Sequence, residues 1–353
     1  MSHPEDLQPF WLQDEAGQHD IVLSTRFRLA RNLQDFVFPN RASYKTRLHV
    51  RNLLERAVVN EFPHWRLIRA DSISAALREL FFEKHLISPQ INRNPAGSTI
   101  AFSTQARFVL MFNEEDHLRI QLLLPGWSLL EPWRELMRVE QRISHWVDFA
   151  FDDNYGYLTS CLTNLGSGVR ASVMAHLPAL NWDGSLAHRL GNWPDQSIEF
   201  RGLFGEGSQI QANFVQISNR HTLGSSISEI STRVQSAVET LVDMERAARE
   251  ELQARYRWKI EDSVFRALAL LKSARLMSSE EATMHLGTIR LGACLGLIPP
   301  IPSGKILRLL ISSRPAHLHL RAQQDLGPEE RDFWRAQHIR SQLAGLVELG
   351  KDG

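Results

Sequence analysis

Asp20-Ile-Val-Leu-Ser-Thr-Arg-Phe-Arg-Leu-Ala-Arg-Asn32 begins with an apolar run, Ile21 to Leu23, that reads as a strand and then carries arginines at alternating positions. Successive side chains of a strand point to opposite faces, so Arg26 and Arg28 share one face and can grip one polyphosphate between them. Taken alone, any one such arginine is better explained as a solvated strand residue. Their weight comes from what surrounds them.

From about Asp20 to Leu223, short apolar runs alternate with turn residues. Phe108-Val-Leu-Met-Phe112 and Leu118-Arg-Ile-Gln-Leu-Leu-Leu124 flank the acidic stretch Asn113-Glu-Glu-Asp-His117 and read as two neighbouring strands joined by a turn. Further strands are expected at Tyr157 to Cys161, Ile198 to Gly202 and Asn213 to Ser218. Beyond Ser226 the period changes. Ile227, Ile230, Val234, Val238 and Leu241 recur at helical spacing, and Ser226 with Glu229 forms a capping box. Ser278 with Glu281 repeats that start signal, and Pro299-Pro300 with Pro302 marks a break before another helix. The expectation is an α+β chain, with a mixed domain over residues 1–257 and a helical domain over 258–353.

The 353 residues, 43% of them hydrophobic, suffice for two cores. Formal net charge is zero, which argues against nucleic acid as the main partner. No apolar stretch approaches the roughly 18 residues of a membrane span, and the amino terminus does not read as a signal peptide, so a cytoplasmic protein is expected. Cys161 and Cys294 are far apart and lack any ligand spacing, so neither a disulfide framework nor a protein-held metal is expected. Only six of the 40 basic residues are lysine. Genome composition accounts for much of that bias, yet arginine is also the side chain that holds phosphate through a rigid, permanently charged fork.

There is no GxxxxGK[ST] loop and no protein-kinase motif set, and Gly166-Ser-Gly168 is too short to count as a phosphate loop. Four segments recur in order instead: Asp20 to Asn32, Asn113 to Arg119, Cys161 to Ser172 and Arg201-Gly-Leu-Phe-Gly-Glu206. Together they resemble the motif set of the phosphagen kinases, the ATP:guanido phosphotransferases, over most of residues 20 to 250. The resemblance implies an antiparallel sheet backed by helices, of the phosphagen kinase and glutamine synthetase-like kind, with ATP and Mg²⁺ at its concave face. It implies nucleotide contacts from Ser24, Thr25, Arg26, Phe27 and Arg28, from His85 and Arg119, from Arg170, Ala171, Ser172, Val173 and Met174, and from Arg201, Gly202, Leu203, Phe204, Gly205 and Glu206. By the same resemblance Glu115 and Glu206 hold a guanidinium substrate, with Glu115 as base, and Cys161 is the active-site cysteine. A small buried hydrophobe explains Cys161 equally well, and Leu162 stands where the family commonly has proline.

The chemistry fits those residue types. A guanidinium is protonated in water and a poor nucleophile, so carboxylates must orient it and accept its proton while cations neutralise the transferring phosphoryl group. Kinases of free guanidino compounds carry a helical domain ahead of these motifs; here the motifs start at once and a helical domain follows, as in the protein-arginine kinase branch. Arg331-Asp-Phe-Trp-Arg-Ala336 matches that branch's RDxxRA motif, implying phosphoarginine binding by Arg331, Asp332, Arg335 and Ala336. On a helix, Arg331 and Arg335 share a face. Implied partners are proteins with accessible arginines, an activator protein, Clp-type protease machinery and a second copy of the chain. A kinase for a free guanidino compound and a catalytically silent phosphoarginine adaptor stand as the alternatives.

Overall fold

The computed structural model describes residues 7–13, 20–202 and 212–344. The described strands are β1 (Val22–Arg31), β2 (Arg66–Arg69), β3 (Thr99–Phe102), β4 (Phe108–Phe112), β5 (Leu118–Pro125), β6 (Phe151–Asp152), β7 (Gly156–Tyr157), β8 (Val169–His176), β9 (Ile198–Arg201) and β10 (Phe214–Asn219). The helices are α1 (Tyr44–Glu61), α2 (Ala75–Glu83), α3 (Pro89–Arg93), α4 (Pro132–Ser144), α5 (Leu186–Gly191), α6 (Ile227–Ser273), α7 (Ser279–Cys294), α8 (Ser303–Ser312), α9 (Pro315–Ala322) and α10 (Pro328–Leu343).

Eight strands form one sheet in the order β2-β3-β4-β5-β1-β8-β10-β9, every neighbouring pair antiparallel. The alternation of β1 decides which way the sheet faces. Phe27 and Leu29 are fully buried; with Ile120, Leu122, Ala171, Val173, Val215 and Ile217 they form a core closed by α1, α4 and the first half of α6. Such a face needs no polar partner, and each large apolar side chain it buries contributes about 1.5–3 kcal/mol. The residues between them look the other way. Arg28 stands opposite Gln121 on β5 and Arg170 on β8, and Arg26 opposite Leu123 and Ser172.

That second face changes character along its length. At one end it carries arginines; at the other it carries Leu123, Met174 and Phe214, which pack against a second core built from Ile260, Val264, Leu268, Leu286, Ile289, Ile306 and Ile339. Helix α7 comes close enough for Arg290 Nη1 to sit 3.0 Å from His176 Nδ1. The two cores share α6, a 47-residue helix whose regular geometry breaks at Tyr256 (φ −132°, ψ 24°). Glu83, buried at the end of α2, accepts the amides of Ala316 (2.9 Å) and His317 (3.3 Å) and so fixes α9 against α2.

Both capping boxes are formed, Ser226 with Glu229 and Ser278 with Glu281, and α8 starts directly after Pro302. One expected strand is not continuous. Over Tyr157 to Cys161 only Tyr157 pairs as a strand residue, because the Ser160 amide is taken by the carboxylate of Asp116 at 2.7 Å. Conversely β8, central in the sheet, was not among the expected strands.

Candidate active site

Five arginines from four strands converge on a cavity of about 780 Å³: Arg26 and Arg28 of β1, Arg119 of β5, Arg170 of β8 and Arg201 at the end of β9. His85, Glu114, Glu115, Cys161 and Gly168 also line it. Side-chain alternation divides the expected nucleotide-contacting segments. Arg26, Arg28 and Arg170 line the cavity, whereas Phe27, Ala171 and Val173 belong to the helix-covered core. Thr25 donates its hydroxyl to the Gly126 carbonyl (2.8 Å) and accepts from the Ser128 amide (2.9 Å), so it fastens a loop on that other side. Ser24, Ser172 and Met174 share the arginine face but are not among the residues that line the cavity, and Gly202 follows Arg201 in a bridge position. Leu203, Phe204, Gly205 and Glu206 lie outside the described residues.

So many like charges in one wall repel. Burial, then Arg170, Arg119 and Arg201, lowers the Arg26 pKa to about 10, which leaves it charged at neutral pH. Burial and then Arg26, Arg170 and Arg119 lower that of Arg28, with Glu114 opposing. A polyanion would relieve this repulsion. His85, beside the same wall, is pushed down to about 3 by burial, then by Arg26 and Arg314, and is an uncharged ring at neutral pH. Its carbonyl accepts Gln121 Nε2 at 2.8 Å and its ring meets Trp11 edge-on at 5.5 Å.

Carboxylates are interleaved with the arginines. Arg119 donates to Glu114 Oε1 (2.9 Å) and Glu115 Oε2 (3.3 Å). Glu114 is buried, while the Glu115 side chain is 41% exposed, the state required of a group that must meet an incoming substrate. The turn carrying both is no ordinary solvated turn. Asn113 takes a positive φ of 55°, which Asn tolerates better than most residues, and its amide side chain donates to the carbonyls of Arg47 (2.7 Å) and Gly97 (2.8 Å). Asn32 Oδ1 accepts the His117 amide at 2.9 Å. Buried side chains thus hold the backbone on both sides of Glu115.

Cys161 reaches the cavity half-buried, its Sγ 3.1 Å from Thr163 Oγ1, with Leu162 pointing out, 80% exposed. Gly168 lets β8 approach β1: its φ is +68°, and a Cβ there would stand 2.7 Å from the Ala30 carbonyl. The Gly166–Gly168 turn therefore serves close packing. Residues overlooked from sequence are Glu114, Asp116, Gln121 and Glu199; Glu114 and Asp116 flank the chosen Glu115, and a buried turn is what no period in the sequence announces.

In the helical domain, Arg335 is buried and donates to the Ser313 carbonyl (2.9 Å), the Met277 carbonyl (2.9 Å) and Asp332 Oδ1 (2.6 Å). Arg331 and Asp332 are half-buried on the same helix, and Ala336 is buried in the second core. Of the two arginines, Arg331 is therefore the more open and Arg335 the more engaged. Among the described residues no group of three or more His, Cys, Asp or Glu side chains could hold a metal ion, and no helix is long and apolar enough to cross a membrane.

Residues 49–248 match the family model of the ATP:guanido phosphotransferase C-terminal catalytic domain, and residues 257–352 match that of the protein-arginine kinase McsB C-terminal domain. The chain is 38% identical to the protein-arginine kinase of Syntrophomonas wolfei over 97% of its own length and 96% of that protein's. It is 40% identical to that of Symbiobacterium thermophilum over 95% and 96% of the two chains. Solved structures with the same fold include lombricine kinase (TM-score 0.58, 22% identity, 68% of this chain and 71% of that one). A duplicated taurocyamine kinase from Schistosoma mansoni gives TM-score 0.60 at 24% identity, covering 70% of this chain and 35% of that one.

Proposed function

This chain belongs to the ATP:guanido phosphotransferase family, and from that membership we propose that it is a protein-arginine kinase, moving the γ-phosphate of ATP onto arginine guanidinium groups of proteins. The observation that carries the reading is the pairing of a partly exposed Glu115 with five cavity-lining arginines. In this reading Arg26, Arg28, Arg119, Arg170 and Arg201 cradle the phosphates. Glu115 orients one guanidinium nitrogen in line with the γ-phosphorus, with Glu206 as its partner carboxylate. As the N–P bond forms and the bond to the ADP oxygen breaks, the proton leaving nitrogen passes to Glu115. Positioning and preorganised charge supply most of what phosphoryl transfer needs, and no covalent enzyme intermediate is required.

The neutral His85 ring suits contact with the uncharged part of the nucleotide. Mg²⁺ would supply counter-charge to the ATP phosphates in this reading, and no step is assigned to it. Cytoplasmic location, a homodimer, an activator protein and delivery of marked proteins to a Clp-type protease in stress complete the reading; their support is the likeness to the protein-arginine kinases.

The test is incubation with ATP and Mg²⁺ and either an unfolded arginine-containing protein or free arginine, read as acid-labile phosphate. Label is expected on the protein. Glu115→Gln should lose about 10²-fold or more in transfer, the scale of a general base, while binding ATP as the wild type does. Label on free arginine alone, or near-normal turnover by Glu115→Gln, would reject the reading.

A further inference from the structure

Glu199 has no place in the reaction just described, yet it bonds two of the cavity-lining arginines. It precedes Arg201 by two residues on β9, so both side chains leave the same face of the sheet. Across the ladder Glu199 opposes Ser218 of β10. One carboxylate oxygen accepts Arg201 Nη2 at 2.7 Å, and the other accepts Arg170 Nη2. The same Arg170 nitrogen donates to Ser218 Oγ at 3.0 Å. A single carboxylate thus bridges two guanidinium groups from two strands, with a quarter of its side chain exposed.

Two oxygens presented to forked N–H donors are the geometry by which arginine also holds phosphate. We infer that Glu199 is a built-in counter-ion that fills the Arg170–Arg201 part of the phosphate cradle in the nucleotide-free protein and thereby sets nucleotide affinity. The inference rests on the reading that this cradle binds ATP.

Charge accounting supports it. Burial first, and then the charges of Arg170, Arg119 and Arg201, lower the Arg26 pKa, so the arginines of this wall repel one another. Glu199 offsets part of that. Burial alone would raise its own pKa, but the hydrogen bond from Arg201 and the charges of Arg170 and Arg201 bring it below the usual value, so it is ionised at neutral pH. A triphosphate brings several negative charges to the same arginines. Once it is bound, the repulsion that Glu199 relieved is relieved by phosphate, and the carboxylate becomes a like-charged neighbour of the ligand. Binding is then an exchange of anions. The residue stabilises the empty form, weakens the filled one and keeps ADP from being held too long.

Full-length wild type and Glu199→Gln, which keeps the size and one acceptor oxygen but removes the charge, are titrated calorimetrically with ATP, ADP and adenosine. Expected is tighter binding of ATP and ADP by about tenfold, the scale of one unit charge at contact in a partly screened site, with adenosine unchanged. The KM for ATP should fall in parallel. Without nucleotide the variant should melt at lower temperature than wild type, and saturating ATP should raise its midpoint by more. Glu199→Asp keeps the charge but is too short to span both arginines; it should bind ATP more tightly than wild type and less tightly than Glu199→Gln. It supplies the measurement if the Gln variant does not fold. Equal or weaker ATP binding by a folded variant, or tightening that extends equally to adenosine, overturns the inference. Absence of ATP binding by the wild type overturns instead the functional reading on which it stands.

Discussion

Asp116 Oδ1 accepts the backbone amide of Ser160 at 2.7 Å, joining the turn that carries Glu115 to the loop that carries Cys161. The same oxygen accepts Asn32 Nδ2 at 2.7 Å, and Ser160 returns its hydroxyl to the Glu115 carbonyl at 2.8 Å. Asp116 is fully buried, so the link is not diluted by water.

Asp116→Ala should therefore loosen the geometry of Glu115 without touching the arginine cradle. The half-buried Ser160 amide then loses its acceptor, and Asn32 Nδ2 keeps only the Leu158 carbonyl at 3.2 Å, at a cost of up to about 1–3 kcal/mol for each lost bond. A misplaced base should cost turnover about 10–100-fold, since in-line attack tolerates little displacement. ATP affinity should stay within about threefold, because the cavity-lining arginines keep their strands. Steady-state kinetics and calorimetric ATP titration on the same preparation check this. A matched loss of ATP affinity would show that Asp116 supports the cradle as well.

His117 makes stability fall in acid. Its Nδ1 accepts the Leu33 amide at 3.1 Å, so the proton sits on Nε2, 3.2 Å from the Val37 carbonyl. Burial pushes its pKa down to about 4, against about 6.5 in an unfolded chain. Between those values the unfolded chain binds a proton that the folded one refuses, so stability is complete above pH 6.5 and declines as pH falls towards 4. One such group contributes a slope of about 1.4 kcal/mol per pH unit. His338, lowered to about 4, and His85, lowered to about 3, act in the same direction. Unfolding midpoints measured from pH 7.5 to 5 should drop less steeply in His117→Asn than in wild type. Parallel curves would remove His117 from the account.

The alternating arginines of β1, the two capping boxes and the strand pair around Asn113–His117 were legible because each is a local pattern. Period two places Arg26 with Arg28, and Ser-x-x-Glu starts a helix wherever its amides need acceptors. What could not be read is pairing. That Thr25 and Phe27 look away from the cavity follows from the register of β1 between β5 and β8, and that Glu199 bridges Arg170 and Arg201 follows from β9 lying beside β10. The spacing of Arg331 and Arg335 was legible, but the burial of Arg335 was not, because it depends on Ser313 and Met277 arriving from other helices.

That burial separates two roles within Arg331-Asp-Phe-Trp-Arg-Ala336. Arg335 has its donors on two carbonyls and on Asp332, and the Asp332 carbonyl accepts the Met277 amide at 3.2 Å, so this arginine ties α10 to the start of α7 and the end of α8. Replacing it by methionine should lower the melting midpoint, because the buried Ser313 and Met277 carbonyls each lose a donor at about 1–3 kcal/mol. Arg331 is only half-buried, and its charge opposes that of Arg335. An added phosphoryl group would be welcome there. Arg331→Ala should change stability by no more than about 0.5 kcal/mol and weaken binding of free phosphoarginine at least about tenfold, the loss of one charge-assisted contact. If that site biases the kinase, phosphoarginine should change the wild-type protein-labelling rate by a coupling of about 1–3 kcal/mol, and Arg331→Ala should abolish the response. Calorimetry with free phosphoarginine, melting curves and labelling rates are measured on wild type, Arg331→Ala and Arg335→Met. Equal phosphoarginine binding by wild type and Arg331→Ala would take the ligand away from this helix, and binding lost without any change in rate response would leave a docking site that does not regulate.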